Sequence, residues 1–374
     1  MSCLKFFGRV GAAMMLIFST LGCAGEAAVN KVPASFPYIQ YFGRWDVRGD
    51  VYRSGQGATY IKVVFEGTEI KADITGADIW WAVSVDGEEF RRLGPVKKNA
   101  KPLVLASKLS PGLHRLTLVR STEGQAGVAE FRGFILDKGA RLQEPEPVKK
   151  RRLEFVGDSI TAGAINLAPY NGKNYHATED GNMAYGPQLA RLLDADFSVV
   201  AKSGGGLVHN YAESWPPTGT HAVDLYGWTF YYEDFRPDNL VWDAKKFPVD
   251  GVIIAIGTND FTDPNRQPTQ EEFQRGYAEL IKRVRQMNPT AKIICTEPLP
   301  VWLPSEVRGW IRETVEAAKA NGEGEVYFIP LNEPTPLLEP GDYIEGDTHP
   351  SVKGDAKMAA YLKDKVAAIM EWET

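Results

Sequence analysis

Cysteine is scarce, with three in 374 residues. Two of them, Cys3 and Cys23, fall in the first two dozen positions, which leaves Cys295 without a partner and excludes a disulfide-stapled scaffold. Basic charge is in deficit as well: 42 Lys and Arg against 48 Asp and Glu give a net charge of −6. Such a balance offers no electrostatic grip on nucleic acid or on anionic lipid, and it suits an uncharged ligand. No apolar run reaches the ~20 residues that a spanning helix needs. The five histidines, His114, His176, His209, His221 and His349, are scattered without the close His/Glu/Asp spacing of a catalytic metal site. Neither a Walker loop nor a Gly-x-Gly-x-x-Gly turn occurs, so no metal, nucleotide or other cofactor is expected. Internal repeats and low-complexity tracts are also missing.

What is present begins with a leader. Lys5 and Arg9 precede an apolar stretch over 10–21, followed by small residues around Cys23, Ala24 and Gly25. Residues 1–28 read as an export signal, which predicts a secreted or periplasmic protein. Two processed forms stay open: ordinary cleavage near Ala27, or acylation of Cys23 as an outer-membrane lipoprotein.

Length and texture then predict two domains. Over 36–146, short alternating runs such as 60–65, 80–85 and 113–118 are broken by Gly, Pro and Asp, the pattern of an antiparallel β-sandwich. Residues 144–152 are charged and Pro-rich, as an exposed connector would be. From 150 to 374 short apolar strands (153–156, 197–201, 252–256, 293–296 and 326–329) alternate with amphipathic helices. This predicts an α/β fold, a doubly wound parallel sheet between two helical layers. Thr269 and Glu272 form a capping box for one helix, with Phe273, Tyr277, Leu280, Ile281 and Val284 on its buried face. Ser305 is expected to start another, burying Val307, Trp310, Ile311 and Val315.

Chemistry concentrates at the carboxyl ends of those strands. The first runs into Gly157-Asp158-Ser159, the second into Ser203-Gly204-Gly205-Gly206, and the third into Gly257-Thr258-Asn259-Asp260. A serine hydroxyl needs a base to take its proton, and His349, in Asp347-Thr348-His349-Pro350, offers an imidazole. Glycine N–H groups and an asparagine amide are the donors that a tetrahedral oxyanion requires. Taken singly, each block has a plain alternative as a helix cap, a Gly-rich turn or an Asx turn. Four in this order carry more than any one.

Together the blocks resemble the SGNH (GDSL-type) hydrolases along the whole second half. The resemblance implies Ser159 as nucleophile, His349 as base, and an oxyanion hole formed by the Ser159 N–H, Gly204 and Asn259. Gly43-Arg44, the run to Leu113-His114, Phe131-Arg132-Gly133-Phe134 and the junction over 151–159 look like the second family of carbohydrate esterases. Those enzymes join a jelly-roll sandwich to an SGNH domain and deacetylate xylan and glucomannan. Acetylated polysaccharide is therefore the implied substrate; a lipid or thioester substrate, or a glycan-binding lipoprotein with little catalysis, are the competing readings.

One departure from the wider family matters. The aspartate that orients the histidine commonly sits three residues before it, where this chain has Gly346. Asp347, two before, reaches the imidazole if the segment is extended, and a turn there is expected to carry it away. Both a Ser-His-Asp triad and a Ser-His dyad remain open.

Aromatic residues supply candidate sugar contacts. Trp302 follows the fourth parallel strand, and Trp228 lies in an insertion with Tyr226, Phe230, Tyr231, Tyr232, Phe235 and Trp242 that reads equally as a cleft wall or as a hydrophobic cluster under a loop. His209 and His221 are further candidates for substrate contact. Of Trp80 and Trp81 one must face away from the sandwich core, and domain contact is its expected role.

Overall fold

The computed structural model describes residues 29–230 and 241–373. The expected leader over 1–28 with Cys23, and Tyr231, Tyr232 and Phe235 of the aromatic insertion, lie outside the described residues. Among those described, no helix is long and apolar enough to cross a membrane.

The alternation read in the first half becomes two antiparallel sheets. The first holds β3 (Trp45–Arg48), β4 (Val51–Ser54), β11 (Ala129–Leu136), β6 (Ile70–Thr75) and β9 (Leu103–Ala106) in that order, with β1 (Asn30–Pro33) also on β11. The second holds β12 (Arg141–Gln143), β5 (Tyr60–Glu66), β10 (Leu113–Arg120), β7 (Ile79–Val85) and β8 (Arg91–Val96), with β2 (Gln40–Phe42) also on β5. Because side chains alternate along a strand, Ile61, Val63 and Phe65 of β5 and Leu116 and Leu118 of β10 point inward to meet Ile70, Ala72, Ile74 and Phe131 of the facing sheet. Trp81 is buried in that core. Trp80 faces outward and lies under the guanidinium of Arg92, which donates to the carbonyls of His176, Ala177 and Glu179 in the second half of the chain. Trp80 thus serves the contact between the halves.

Residues 144–148 run without regular structure as a connector, but Arg151 and Arg152 belong to a strand rather than to it. The second half is a five-stranded parallel sheet, ordered β14 (Ala195–Ala201), β13 (Arg151–Gly157), β15 (Gly251–Ala255), β16 (Lys292–Thr296) and β17 (Val326–Ile329). Helix α2 (Tyr185–Leu192) packs on α6 (Val352–Met370); α3 (Ala222–Tyr226) packs on α4 (Gln270–Met287), which packs on α5 (Glu306–Ala320). Strand order reverses at β13, and the crevice outside its carboxyl end is where open α/β sheets bind ligands.

Local signals fare unevenly. Thr269 and Glu272 close both bonds of the capping box at the start of α4. Ser305 does precede α5, but its hydroxyl caps nothing because the residue is already helical, and Trp310 is only half-buried. Cys295 is a free, buried thiol whose pKa burial raises to about 12.

Candidate active site

Strand β13 ends at Gly157, and the chain turns at once into a four-residue helix, α1 (Ser159–Ala162). Asp158 caps it: its carboxylate accepts the Ile160 N–H at 3.1 Å. Asp158 does the capping, which leaves the Ser159 hydroxyl free for another partner. Burial pushes the Asp158 carboxyl up to about 6. Ser159 is 8% exposed, and its N–H sits in the first turn, where no intrahelical acceptor exists.

Its partner arrives from the far end of the chain. The Ser159 Oγ lies 2.7 Å from Nε2 of His349, and Nδ1 of His349 lies 2.5 Å from Oδ1 of Asp347. An ionised Asp347 can only accept, so it selects the tautomer with hydrogen on Nδ1 and a lone pair on Nε2 facing the serine. The hydrogen bond from His349 holds the Asp347 carboxyl down to about 2.

How Asp347 gets there differs from the expectation. A turn is present: the Asp347 N–H donates to the Ile344 carbonyl at 3.0 Å, and the Ile344 N–H to the His349 carbonyl at 2.9 Å. Gly346 has φ +74° inside that turn, a conformation costly for any side chain, so glycine stands where the wider family has its aspartate. The turn does not carry Asp347 away. Its Oδ1 also accepts the N–H groups of Thr348 at 2.6 Å and His349 at 2.9 Å, which folds the carboxylate back over its own backbone toward the ring.

The candidate oxyanion donors are brought to one edge by strand pairing. Gly157 is in register with Ala201 on one side and Ala255 on the other, so the loops after β14 and β15 flank Ser159. Gly204 has φ +76°, and its N–H has no hydrogen-bond partner among the described residues. Asn259 gives one amide hydrogen to the Gly205 carbonyl at 2.8 Å, which ties it to the glycine loop and leaves the second hydrogen for a ligand. Asp260, buried and raised to about 6 by burial, accepts the N–H groups of Leu207, Val208 and His209 at 2.7 to 3.1 Å and fixes the rest of the loop.

The remaining candidates separate. Trp302 is 45% exposed on the loop after β16, on the same sheet edge as Ser159. Trp228 is partly buried against the core, pairs with Val241, and gives its carbonyl to Arg44. Neither those contacts nor its groove neighbours Thr220, Val223, Asp224 and Arg283 include a residue of the Ser159 cluster. Tyr226, Phe230 and Trp242 are buried as well, so the described part of the insertion is a hydrophobic cluster. His209 is fully buried and stacked on Trp215, with its Nε2–H donated to the Glu213 carbonyl, which removes it from substrate contact. His221 is bonded to the Glu213 carboxylate at 2.9 Å. Among the described residues no group of three His, Cys, Asp or Glu side chains could hold a metal ion. Tyr211 was not singled out from the sequence. It is 65% exposed, and its N–H holds the Gly204 carbonyl at 2.8 Å, so an open aromatic ring stands beside the oxyanion loop. A single tyrosine in a polar loop carries no periodicity that marks it.

A serine, an imidazole and a carboxylate in series at the switch point of a three-layer α/β sheet are the fold and site of an SGNH-type serine ester hydrolase. Residues 155–357 match the GDSL-like Lipase/Acylhydrolase family and residues 41–145 match the Carbohydrate esterase 2 N-terminal family. The chain belongs to the GDSL-like lipase/acylhydrolases, and its first half matches the N-terminal domain of the second family of carbohydrate esterases. It is 30% identical over 343 residues to the cellulase/esterase CelE of Acetivibrio thermocellus, covering 90% of this chain but only 40% of that protein. With an acetylxylan esterase/glucomannan deacetylase of Cellvibrio japonicus it shares 28% identity, over 82% of either chain. A family two carbohydrate esterase from Clostridium thermocellum, solved with cellohexaose, superposes with a TM-score of 0.81 at 28% identity, covering 90% of this chain and all of that one.

Proposed function

We propose that this protein removes acetyl groups from acetylated plant polysaccharides of the xylan and glucomannan type, through an acetyl-Ser159 intermediate. The observation that carries the reading is the unbroken line from Ser159 Oγ through His349 to Asp347, at 2.7 and 2.5 Å. His349 takes the Ser159 proton as Oγ attacks the acetyl carbonyl. The Ser159 and Gly204 N–H groups and the Asn259 amide receive the oxyanion, and Asp347 stabilises the imidazolium. As the tetrahedral intermediate collapses, the imidazolium protonates the departing sugar oxygen, which leaves as a hydroxyl, and water, activated by the same base, then attacks the acetyl-enzyme and releases acetate. Nothing in this sequence of steps calls on a metal.

The substrate class is supported by the names of the relatives and by the exposed rings of Trp302 and Tyr211, which suit the apolar faces of sugars. A polymer of this size stays outside the cell, in keeping with the export signal read over 1–28. Acetate release compared across acetylated xylan, acetylated glucomannan and a lipid ester tests the reading. Preference for the lipid ester would overturn it. Trp302→Ala is expected to impair acetylated oligosaccharides far more than a small aryl acetate; equal losses on both would make Trp302 structural.

A further inference from the structure

The sandwich reaches the loop before Gly204 through the Glu123 side chain. Glu123 lies just beyond β10, in a stretch from Arg120 to Glu123 that is entirely buried. The guanidinium of Arg120 grips this turn from within, donating to the Thr122 carbonyl at 2.7 Å and to the Glu123 carbonyl at 2.7 Å. Gly57 packs on its backbone, 3.2 Å from the Glu123 Cα to the point where a Cβ would sit. The turn is braced on both sides, and the Glu123 carboxylate makes no cap for the short helical turn that follows.

The carboxylate crosses the domain boundary instead. Its Oε2 accepts the backbone N–H of Ser203 at 2.9 Å. The Tyr175 hydroxyl bridges Oε1 of Glu123 at 2.9 Å and Oγ of Ser203 at 2.6 Å. The Glu179 carboxylate in turn accepts the N–H of Glu123, so the connection is made in both directions. Ser203 is the residue immediately before Gly204. Glu123 thus holds the backbone of Ser203 directly and its side chain through Tyr175, while the next residue is a glycine in the left-handed region with no side chain of its own to fix it.

We infer that Glu123 of the β-sandwich is a positioning residue for the esterase reaction: it orients the Ser203-Gly204 peptide so that the Gly204 N–H points at the developing oxyanion. This rests on the esterase reading above. A glycine loop loses more conformational freedom on ordering than any other, so an oxyanion donor on such a loop needs an external brace. A buried carboxylate supplies it with charge-assisted hydrogen bonds, the stronger kind. Misplacement of a reacting group by about 1 Å can cost on the order of 10²-fold in rate. The sandwich is therefore part of the catalytic apparatus rather than an appended module.

The test is steady-state kinetics on an aryl acetate with wild type, Glu123→Ala, Glu123→Gln and Tyr175→Phe, alongside thermal unfolding. Glu123→Ala is expected to lower kcat roughly ten- to a hundredfold with KM within about twofold, because the oxyanion forms only after binding. Glutamine can keep the geometry: its carbonyl accepts the Ser203 N–H and its amide donates to the tyrosine oxygen. Recovery of kcat in Glu123→Gln to within about threefold of wild type is the signature of positioning. Tyr175→Phe removes one of the two ties to Ser203, so a smaller fall in kcat is expected, and that variant decides the matter if Glu123→Ala does not fold. An active wild type with unchanged kcat in Glu123→Ala, or a loss that Glu123→Gln does not recover, would overturn the inference alone. An inactive wild type would instead remove the esterase reading on which it stands.

Discussion

At the scale of single residues, the site's chemistry depends on which atoms are committed and which are left over. Asn259 spends one amide hydrogen on Gly205 and keeps one. Asn259→Ala should lower kcat by roughly 10²- to 10³-fold, the ~2.7–4 kcal/mol of one lost donor, with KM little changed. A raised KM at constant kcat would make Asn259 a ground-state binder. For Asp347, the short contact with His349 Nδ1 favours the triad over the dyad. Asp347→Asn should cost up to about 10⁴-fold in kcat through the wrong tautomer; a loss below about tenfold would restore the dyad. Its pH behaviour follows from the sign of the shift. A carboxyl held at about 2 when folded, against ~3.9 when free, contributes stability that is fully present above ~3.9 and lost as pH falls through about 2. The stability gap between wild type and Asp347→Asn, measured by urea unfolding, should shrink as pH falls below about 4. A gap unchanged between about pH 5 and pH 2 would mean that another group carries it.

At the scale of elements, two small features separate activity from stability. The turn ahead of His349 needs Gly346 at φ +74°. An alanine there costs ~1–2 kcal/mol in the left-handed region, and relief of that strain would shift Asp347 and His349 together. Gly346→Ala should therefore lower kcat at least about tenfold in a protein that still folds. The capping box of α4 is remote from this chemistry. Thr269→Ala should remove ~1 kcal/mol of stability and leave kcat unchanged. Equal kcat in both variants would show that the turn does not set the histidine. Helix boundaries were the readable part here, because apolar periodicity and capping residues are local. The failure of Ser305 as a cap was not readable: a hydroxyl caps only from a non-helical backbone, and the backbone of Ser305 is already in the α region.

At the scale of the whole molecule, the two halves share one interior. Phe42, Ala58, Tyr60 and Val119 of the sandwich belong to the hydrophobic cluster of the parallel sheet. The fully buried Arg44 donates to the carbonyls of Tyr226 and Trp228 at 2.6 and 2.7 Å and to both oxygens of Glu154 at 3.2 and 3.3 Å. Glu154 is further satisfied by Tyr226 and Ser198. Removing one partner of such a pair strands the other charge, so Arg44→Ala should cost ~3–5 kcal/mol. Chemical denaturation of the wild type should show one cooperative transition for both halves; two separated transitions, or a negligible cost for Arg44→Ala, would show that the domains are independent.

Sequence alone determined the features that depend on near neighbours in the chain: the alternating strands of the sandwich, the βα rhythm of the second half, the capping box at Thr269, the three blocks at strand ends that hold Ser159, Gly204 and Asn259, and the block before the last helix that holds His349. Period and turn chemistry are written into consecutive residues, and parallel pairing then brings strand ends to one edge without further instruction. Only the tertiary structure decided what depends on distance in the chain. Asp347 reaches His349 through a turn that the residue spacing did not reveal. His209 and most of the described aromatic insertion are interior. Glu123, 80 residues before Ser203, looks in the sequence like any acidic loop residue. Its importance comes from burial and from a partner on another domain, and neither leaves a mark on the residues beside it.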